Sequence, residues 1–158
     1  MMSSAKPDWQ TPDIVLERVR AIAPIGLDPC TTDENPVGAP LYYTPKDDGL
    51  TMPWEVGEDG TLVYVNPPYG RAIAPWVRKC DSTLMRTVVA LLPARVDTRW
   101  FPWSADALCF WRGRLKFRGA PAPAPFSSVL AIWAADESHV ERFAWEFRHV
   151  GKVIRPSA

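Results

Sequence analysis

The chain has 158 residues, 47% of them hydrophobic, with 18 basic and 18 acidic side chains and a formal net charge of zero. That length suits one α/β domain with a real core (1–158, of which 1–7 form a loose polar leader) and is short for two. The composition excludes a disordered chain. A balanced charge also excludes a partner held by bulk charge alone, and no apolar run approaches the roughly 18 residues that cross a bilayer. With no signal-peptide pattern at the polar N-terminus, a cytoplasmic protein is expected. Cys30, Cys80 and Cys109 are widely spaced and odd in number, which fits neither a zinc pattern nor a disulfide framework. All three read as small buried residues, and no metal is expected.

Taken in order, the first element is a helix beginning after Thr11-Pro12. Thr11 suits the N-cap, Pro12 the first helical position and Asp13 the positive helix end, while Val15, Leu16, Val19 and Ile22 share one face. Ile25–Asp28 reads as a strand ending in a carboxylate, followed by Pro29-Cys30. Ala39–Thr44 is a short second strand candidate. Only a loop separates it from Thr61–Val65, so one crossover helix is expected to be cut down. In that loop Asp48, with Leu50 and Trp54 beside it, is a candidate contact for a ribose or an amine.

Thr61–Val65 is a β-branched apolar run of the kind buried in a parallel sheet, and it feeds directly into Asn66-Pro67-Pro68-Tyr69-Gly70. Two prolines cannot continue a central strand. They force a stiff turn at the strand's carboxyl end, where open α/β sheets bind ligands. The turn offers the Asn66 amide oxygen, the Pro67 carbonyl and the Tyr69 ring, a set suited to a flat ring bearing an amine. A helix over Ile73–Cys80 and a buried strand over Thr87–Leu92 follow. Asp97 is a candidate cap for a short helix containing Trp100 and Phe101. Ala107–Trp111 is another strand, and Arg112–Phe117 turns back from it as a hairpin alternating basic and apolar residues. Gly119–Pro125 is a stiff proline-rich loop. Ser128–Trp133 is a buried strand, Ser138 caps a terminal helix running to His149, and Val153-Ile154 could add an edge strand.

The charges are unevenly spread. The stretch 95–118 holds Arg95, Arg99, Arg112, Arg114, Lys116 and Arg118 against only Asp97 and Asp106. As a set these are candidate phosphate and groove contacts.

Asn66-Pro67-Pro68-Tyr69 resembles the catalytic motif of S-adenosylmethionine-dependent methyltransferases that act on amino groups: adenine N6, cytosine N4 and glutamine amides. The full series resembles the phage-type DNA N6-adenine methyltransferase (Dam-like) family over nearly the whole chain. That series is Asp8-Trp9-Gln10-Thr11-Pro12, Leu27-Asp28-Pro29-Cys30, Val65–Gly70, Leu91–Phe101, Arg112–Phe117 and Ala124–Ser128. The resemblance implies a single Rossmann-like methyltransferase domain with a mixed, mostly parallel sheet and shortened crossovers. It also implies that S-adenosylmethionine is held by Trp9, Gln10, Thr11, Pro12, Asp28, Pro29, Cys30, Asp48 and Trp54. The partner implied is double-stranded DNA, with an adenine flipped out to meet Asn66, Pro67, Pro68 and Tyr69, in a phage or prophage setting inside a bacterial host. One departure stands out: Thr31–Gly38 lacks the Gly-x-Gly expected after the carboxylate. Alternatives left open are cytosine N4, RNA adenine or protein glutamine as acceptor, and a DNA-binding module without catalysis.

Overall fold

The computed structural model describes residues 9–156. The polar leader over 1–7 and Asp8 lie outside the described residues. Among the described residues the fold is mixed α/β, with three α-helices, a 3-10 turn at Gly70–Ala72 and one seven-stranded sheet. The strands are β1 (Ile25–Asp28), β2 (Leu41–Tyr42), β3 (Leu62–Val65), β4 (Val88–Pro93), β5 (Ala107–Trp111), β6 (Ser128–Trp133) and β7 (Gly151–Ile154). The helices are α1 (Asp13–Ile22), α2 (Ile73–Ser82) and α3 (Glu137–Phe147).

Strand order across the sheet is β2-β1-β3-β4-β6-β5-β7. β1 pairs in parallel with β2 and β3, and β3 with β4, whereas β6 is antiparallel to β4 and β5, and β7 to β5. The expectation of a mostly parallel sheet is therefore corrected. Parallel and antiparallel neighbours are equally numerous, and the antiparallel ladders are the longer ones. The cause is β6, which inserts between β4 and β5 with reversed direction. A strand buried on both faces has the same apolar look whichever way it runs, so its sequence carries no sign of direction. β1 to β5 nevertheless all point one way, and their carboxyl ends share one edge of the sheet with the amino ends of β6 and β7. After β1 the chain moves outward to β2 and then returns to β3 on the other side of β1. The gap between β1 and β3 is thus a topological switch point, the place where open α/β sheets hold ligands.

The core is the sheet itself. β1, β3, β4 and β6 are buried along their whole length. α1 presents Val15, Leu16, Val19 and Ile22 inward and packs against α3, which contributes Val140, Phe143 and Phe147. Between β2 and β3 the chain makes only turns and bends, so no helix covers that crossover. Two expected caps are corrected. Thr11 makes no capping bond to α1, because its hydroxyl is used elsewhere. α3 is capped by Asp136, which accepts the Ser138 backbone N–H at 2.9 Å, and not by Ser138. The short helix expected around Trp100 is a series of turns, and Asp97 pairs with Arg95 at 3.3 Å. No ladder forms over 112–117. The alternation survives as burial, with Leu115 and Phe117 inward and Arg114 and Lys116 outward, until Arg118 pairs with Gln10. No helix is long and apolar enough to cross a membrane among the described residues.

Gly151 opens β7 where a Cβ would collide with the Phe110 carbonyl and press on Cys109 Sγ. Gly151→Ala is expected to lower stability by about 1–3 kcal/mol, the usual cost of overpacking, by prising β7 from β5. Urea unfolding at fixed pH measures it, and a midpoint unchanged from the parent chain would refute the reading.

Candidate active site

At the switch point the carboxyl ends of β1 and β3 bring Asp28 and Asn66 to one cavity of about 450 Å3, a size normal for small-molecule sites. Its walls come from four segments: Trp9–Thr11 before α1, Asp28–Val37 after β1, Thr44–Gly49 after β2, and Asn66 with Pro68 after β3. Trp76 of α2 closes one side. The lining includes Asp28, Glu34 and Asp48 but, among the described residues, no Lys or Arg. Asp28 is 3% exposed and accepts the Cys30 backbone N–H at 3.2 Å. A cavity with carboxylates and no cation favours a positively charged ligand.

A buried polar link ties two of these segments together. The Thr11 hydroxyl shares a 2.7 Å hydrogen bond with the Tyr64 phenol and accepts the Asn66 side-chain N–H at 3.2 Å. With its nitrogen side engaged by Thr11, the Asn66 amide presents its oxygen the other way, where the Tyr69 hydroxyl donates toward it from 3.4 Å. That hydroxyl is equally 3.4 Å from the Leu91 carbonyl. Burial pushes both phenols well above the ordinary tyrosine range, Tyr64 further through Asp28 and Tyr69 further through Tyr64 and Cys30. Neither phenol therefore serves as a base near neutral pH; they act as neutral hydrogen-bonding groups.

The Asp48 wall is held from behind. Lys79 of α2 donates to the carbonyls of Leu50 (2.8 Å) and Met52 (2.5 Å) and lies 5.3 Å from the Trp54 ring centroid. Desolvation lowers its ammonium pKa, and Asp48 partly offsets this. Trp54 donates its indole N–H to the Gly49 carbonyl and stacks on Trp76 at 6.1 Å. Gly49 approaches so closely that any Cβ would strike the Pro29 carbonyl.

A second cavity, of about 430 Å3, opens on the other side of the same turn. Tyr69 and Gly70 line it, with Arg71, Pro93, Arg95 and Thr98, and the rings of Trp100 and Phe126. It holds two guanidinium groups and, among the described residues, no carboxylate. The Asn66–Gly70 turn thus contributes residues to both cavities, Asn66 and Pro68 to the first, Tyr69 and Gly70 to the second.

Set against the sequence, the first cavity gathers Trp9, Gln10, Thr11, Asp28, Pro29, Cys30 and Asp48. Pro12 and Trp54 do not line it. Pro12 is the buried entry to α1, and Trp54, 2% exposed, stands behind Trp76. Cys30 is half-buried in the cavity wall, whereas Cys80 and Cys109 are buried as expected. Pro67 is buried within the turn. Of the six basic candidates, all exposed, Arg95 is the one that lines either of these two cavities. Arg112 and Arg114 donate to the carbonyls of His149 and Ala124, and Arg118 pairs with Asp13 at 3.5 Å. Sequence reasoning missed Trp76, Arg71, Trp100 and the Thr31–Val37 wall. Arg71 was available as the residue directly after Gly70, but the others depend on tertiary packing. Among the described residues no group of three or more His, Cys, Asp or Glu side chains is placed to hold a metal ion.

An acid-lined cavity and a base-lined one, meeting at an Asn-Pro-Pro-Tyr turn, suit transfer between a cationic donor and a polyanionic acceptor. The family model for DNA N-6-adenine-methyltransferase (Dam) matches residues 1–135. The chain belongs to that family and is a DNA adenine-N6 methyltransferase. Neither the curated proteins nor the solved structures compared with it give a match.

Thr11→Val removes the hydroxyl that holds both Asn66 and Tyr64. Methyl transfer to DNA is expected to slow by about fivefold, as loss of a net hydrogen bond of about 1 kcal/mol predicts. Tyr64→Phe should be milder, because Thr11 still accepts from Asn66. Single-turnover rates on unmethylated DNA compare the two. Equal rates for Thr11→Val and the parent would show that the link does not orient Asn66.

Proposed function

We propose that the first cavity holds S-adenosylmethionine, that the extruded adenine enters through the second, and that its amino group reaches the Asn66–Tyr69 turn, where Asn66 faces the first. The observation that carries this reading is the division of charge across one turn: among the described residues three carboxylates and no Lys or Arg line one side, while Arg71 and Arg95, the latter paired with the exposed Asp97, line the other with no carboxylate in the wall. The strand order, with parallel β1 to β4 and the reversed β6, supports a Rossmann-like methyltransferase domain spanning the chain. Such a domain would act in the cytoplasm of a bacterial host, for a phage or prophage. Nothing at the site favours cytosine N4, RNA or a glutamine amide over the adenine that the family assignment names.

The residues of the first cavity fit the donor's chemistry. Asp28, Glu34 and Asp48 offset the positive charges of its ammonium and sulfonium, and Trp9 and Trp76 give aromatic faces for its adenine ring. When bound, the donor supplies a methyl group on a cationic sulfur. The protein's part is to prepare the acceptor. An exocyclic amine is a weak nucleophile because its lone pair is delocalised into the ring. The Asn66 amide oxygen and the Pro67 carbonyl each accept one N–H of the adenine amino group, which localises the lone pair and stabilises the charge growing on nitrogen. Both acceptors are fixed in advance, Asn66 by Thr11 and Pro67 by the double-proline backbone, so the stabilisation carries no reorganisation cost. No strong base is needed before attack, in keeping with two neutral tyrosines. Tyr69 and Phe126, edge to face at 5.3 Å, give the second cavity its aromatic floor. Arg71, Arg95, Arg99, Arg112, Arg114, Lys116 and Arg118 are the proposed DNA backbone contacts.

Asn66→Ala is expected to abolish turnover while calorimetry still shows S-adenosylmethionine binding within a few-fold of the parent (less than about 1 kcal/mol). Asp48→Asn should do the reverse, weakening the cofactor more than the chemical step. Near-parental methylation by Asn66→Ala would overturn the mechanism. DNA affinity should fall steeply with salt. Sequencing methylated DNA from cells expressing the protein gives the target base and its surrounding sequence, and N4-methylcytosine in place of N6-methyladenine would overturn the acceptor.

A further inference from the structure

We infer that Trp100, on the turn between β4 and β5, is the main stacking platform for the extruded base, in place of the motif tyrosine alone; this rests on the proposed function. Tyr69 is 5% exposed. Its ring meets Phe126 at 5.3 Å and 77° and Phe117 at 6.5 Å and 81°, and its hydroxyl points to Asn66 and Leu91. A ring so enclosed has little free face to offer a purine. Trp100 lines the same cavity, is only half-buried, as is Phe126, and has the largest ring system of the three aromatic residues there.

The turn is built to present it. Phe101, 4% exposed, is the anchor: it stacks on Phe110 of β5 at 6.1 Å and 13° and contacts Trp103 at 4.6 Å. With the neighbour fixed inward, Trp100 is tilted 34° to Phe101 at 6.4 Å and takes the cavity side. The base of the turn is closed by Thr98, whose N–H and hydroxyl both donate to the Arg95 carbonyl, at 3.1 and 2.7 Å. Arg95 lines the cavity as well. One hydrogen-bonded turn therefore carries a π face for the base and the Arg95 guanidinium, which a phosphate would engage in place of Asp97, the pairing that single-stranded nucleotide sites use.

Trp100→Leu keeps apolar bulk and removes the ring; Trp100→Phe keeps a ring. On unmethylated DNA, Trp100→Leu is expected to lower kcat/KM by roughly ten- to a hundred-fold, in the range of lost base–aromatic stacking, mainly through KM. Trp100→Phe should recover most of the loss, and the affinity for S-adenosylmethionine should be unchanged in both. The direct signature uses 2-aminopurine at the target position of a duplex carrying the methylated sequence found above. Its emission in the parent complex is quenched by stacking and should brighten at least about twofold with Trp100→Leu, since a stacked base is held against the ring. Unchanged emission together with parental kcat/KM in Trp100→Leu, while the parent methylates adenine normally, overturns the role of Trp100 and leaves the proposed function standing. Loss of S-adenosylmethionine binding in Trp100→Leu would reassign the residue to structure and also overturn it. A parent chain that makes no N6-methyladenine sinks both.

Discussion

The Thr11 hydroxyl, lodged between the Tyr64 phenol and the Asn66 amide, is the contact on which the site depends. It lies at the entry to α1, while Tyr64 and Asn66 belong to β3 and its exit, so one oxygen joins two parts of the chain 53 and 55 residues apart. Tyr64 is fully buried in the middle of an apolar sheet, where a phenol without a partner carries a desolvation penalty. Thr11 removes that penalty and at the same time engages the nitrogen side of Asn66. The atom that satisfies the buried Tyr64 hydroxyl thus also fixes the amide that the proposed mechanism uses. That also explains why Thr11 leaves α1 without a side-chain cap.

Around that link the protein separates charge. The acidic wall of the first cavity arrives on loops after β1 and β2, the basic rim of the second on the turn after Gly70 and on the loop after β4. Because β1 to β4 are parallel, all of these loops leave from one edge of the sheet. A net charge of zero therefore conceals a local division. In the proposed reaction, which joins a cation to a base on a polyanion, that division would direct each reactant to its own side of the Asn66 turn and disfavour exchange between them.

Much of the fold was legible in the sequence. Ile25–Asp28, Leu62–Val65, Ala107–Trp111 and Ser128–Trp133 stand out as short apolar runs bounded by proline, glycine or charge, and each is a strand. Thr11, Asp28, Asn66 and Tyr69 stand out in the sequence because their chemistry is unusual for the places they occupy, and each lines one of the two cavities. What could not be read were relations between distant segments. Trp54 and Trp76 look alike as tryptophans, and only their stacking shows that Trp76 faces the cavity while Trp54 backs it. Ser138 and Asp136 both suit a helix start, and a shift of the cap by two residues decided between them. Trp100 and Phe101 share an apolar character but face opposite ways, because Phe110 captures only one of them.

The missing glycine loop after Asp28 shows how the same end is reached by other means. Glycines in such a loop let the backbone approach a ligand closely. Here two consecutive turns do the folding, Asn35 N–H to the Thr32 carbonyl and Gly38 N–H to the Asn35 carbonyl, each at 2.9 Å. Asn35, at φ 47°, takes the left-handed conformation that asparagine tolerates better than most residues. The close approach is moved across the cavity to Gly49, whose lack of a Cβ lets the Asp48 loop settle onto the Pro29 backbone. Lys79 then fixes that loop through two carbonyls, so the narrow spacing between the β1 and β2 exits is set from the β2 side. A cavity of ordinary ligand-binding size results without a glycine-rich turn, and the wall residues Thr31 to Val37 are left with side chains of their own to shape it.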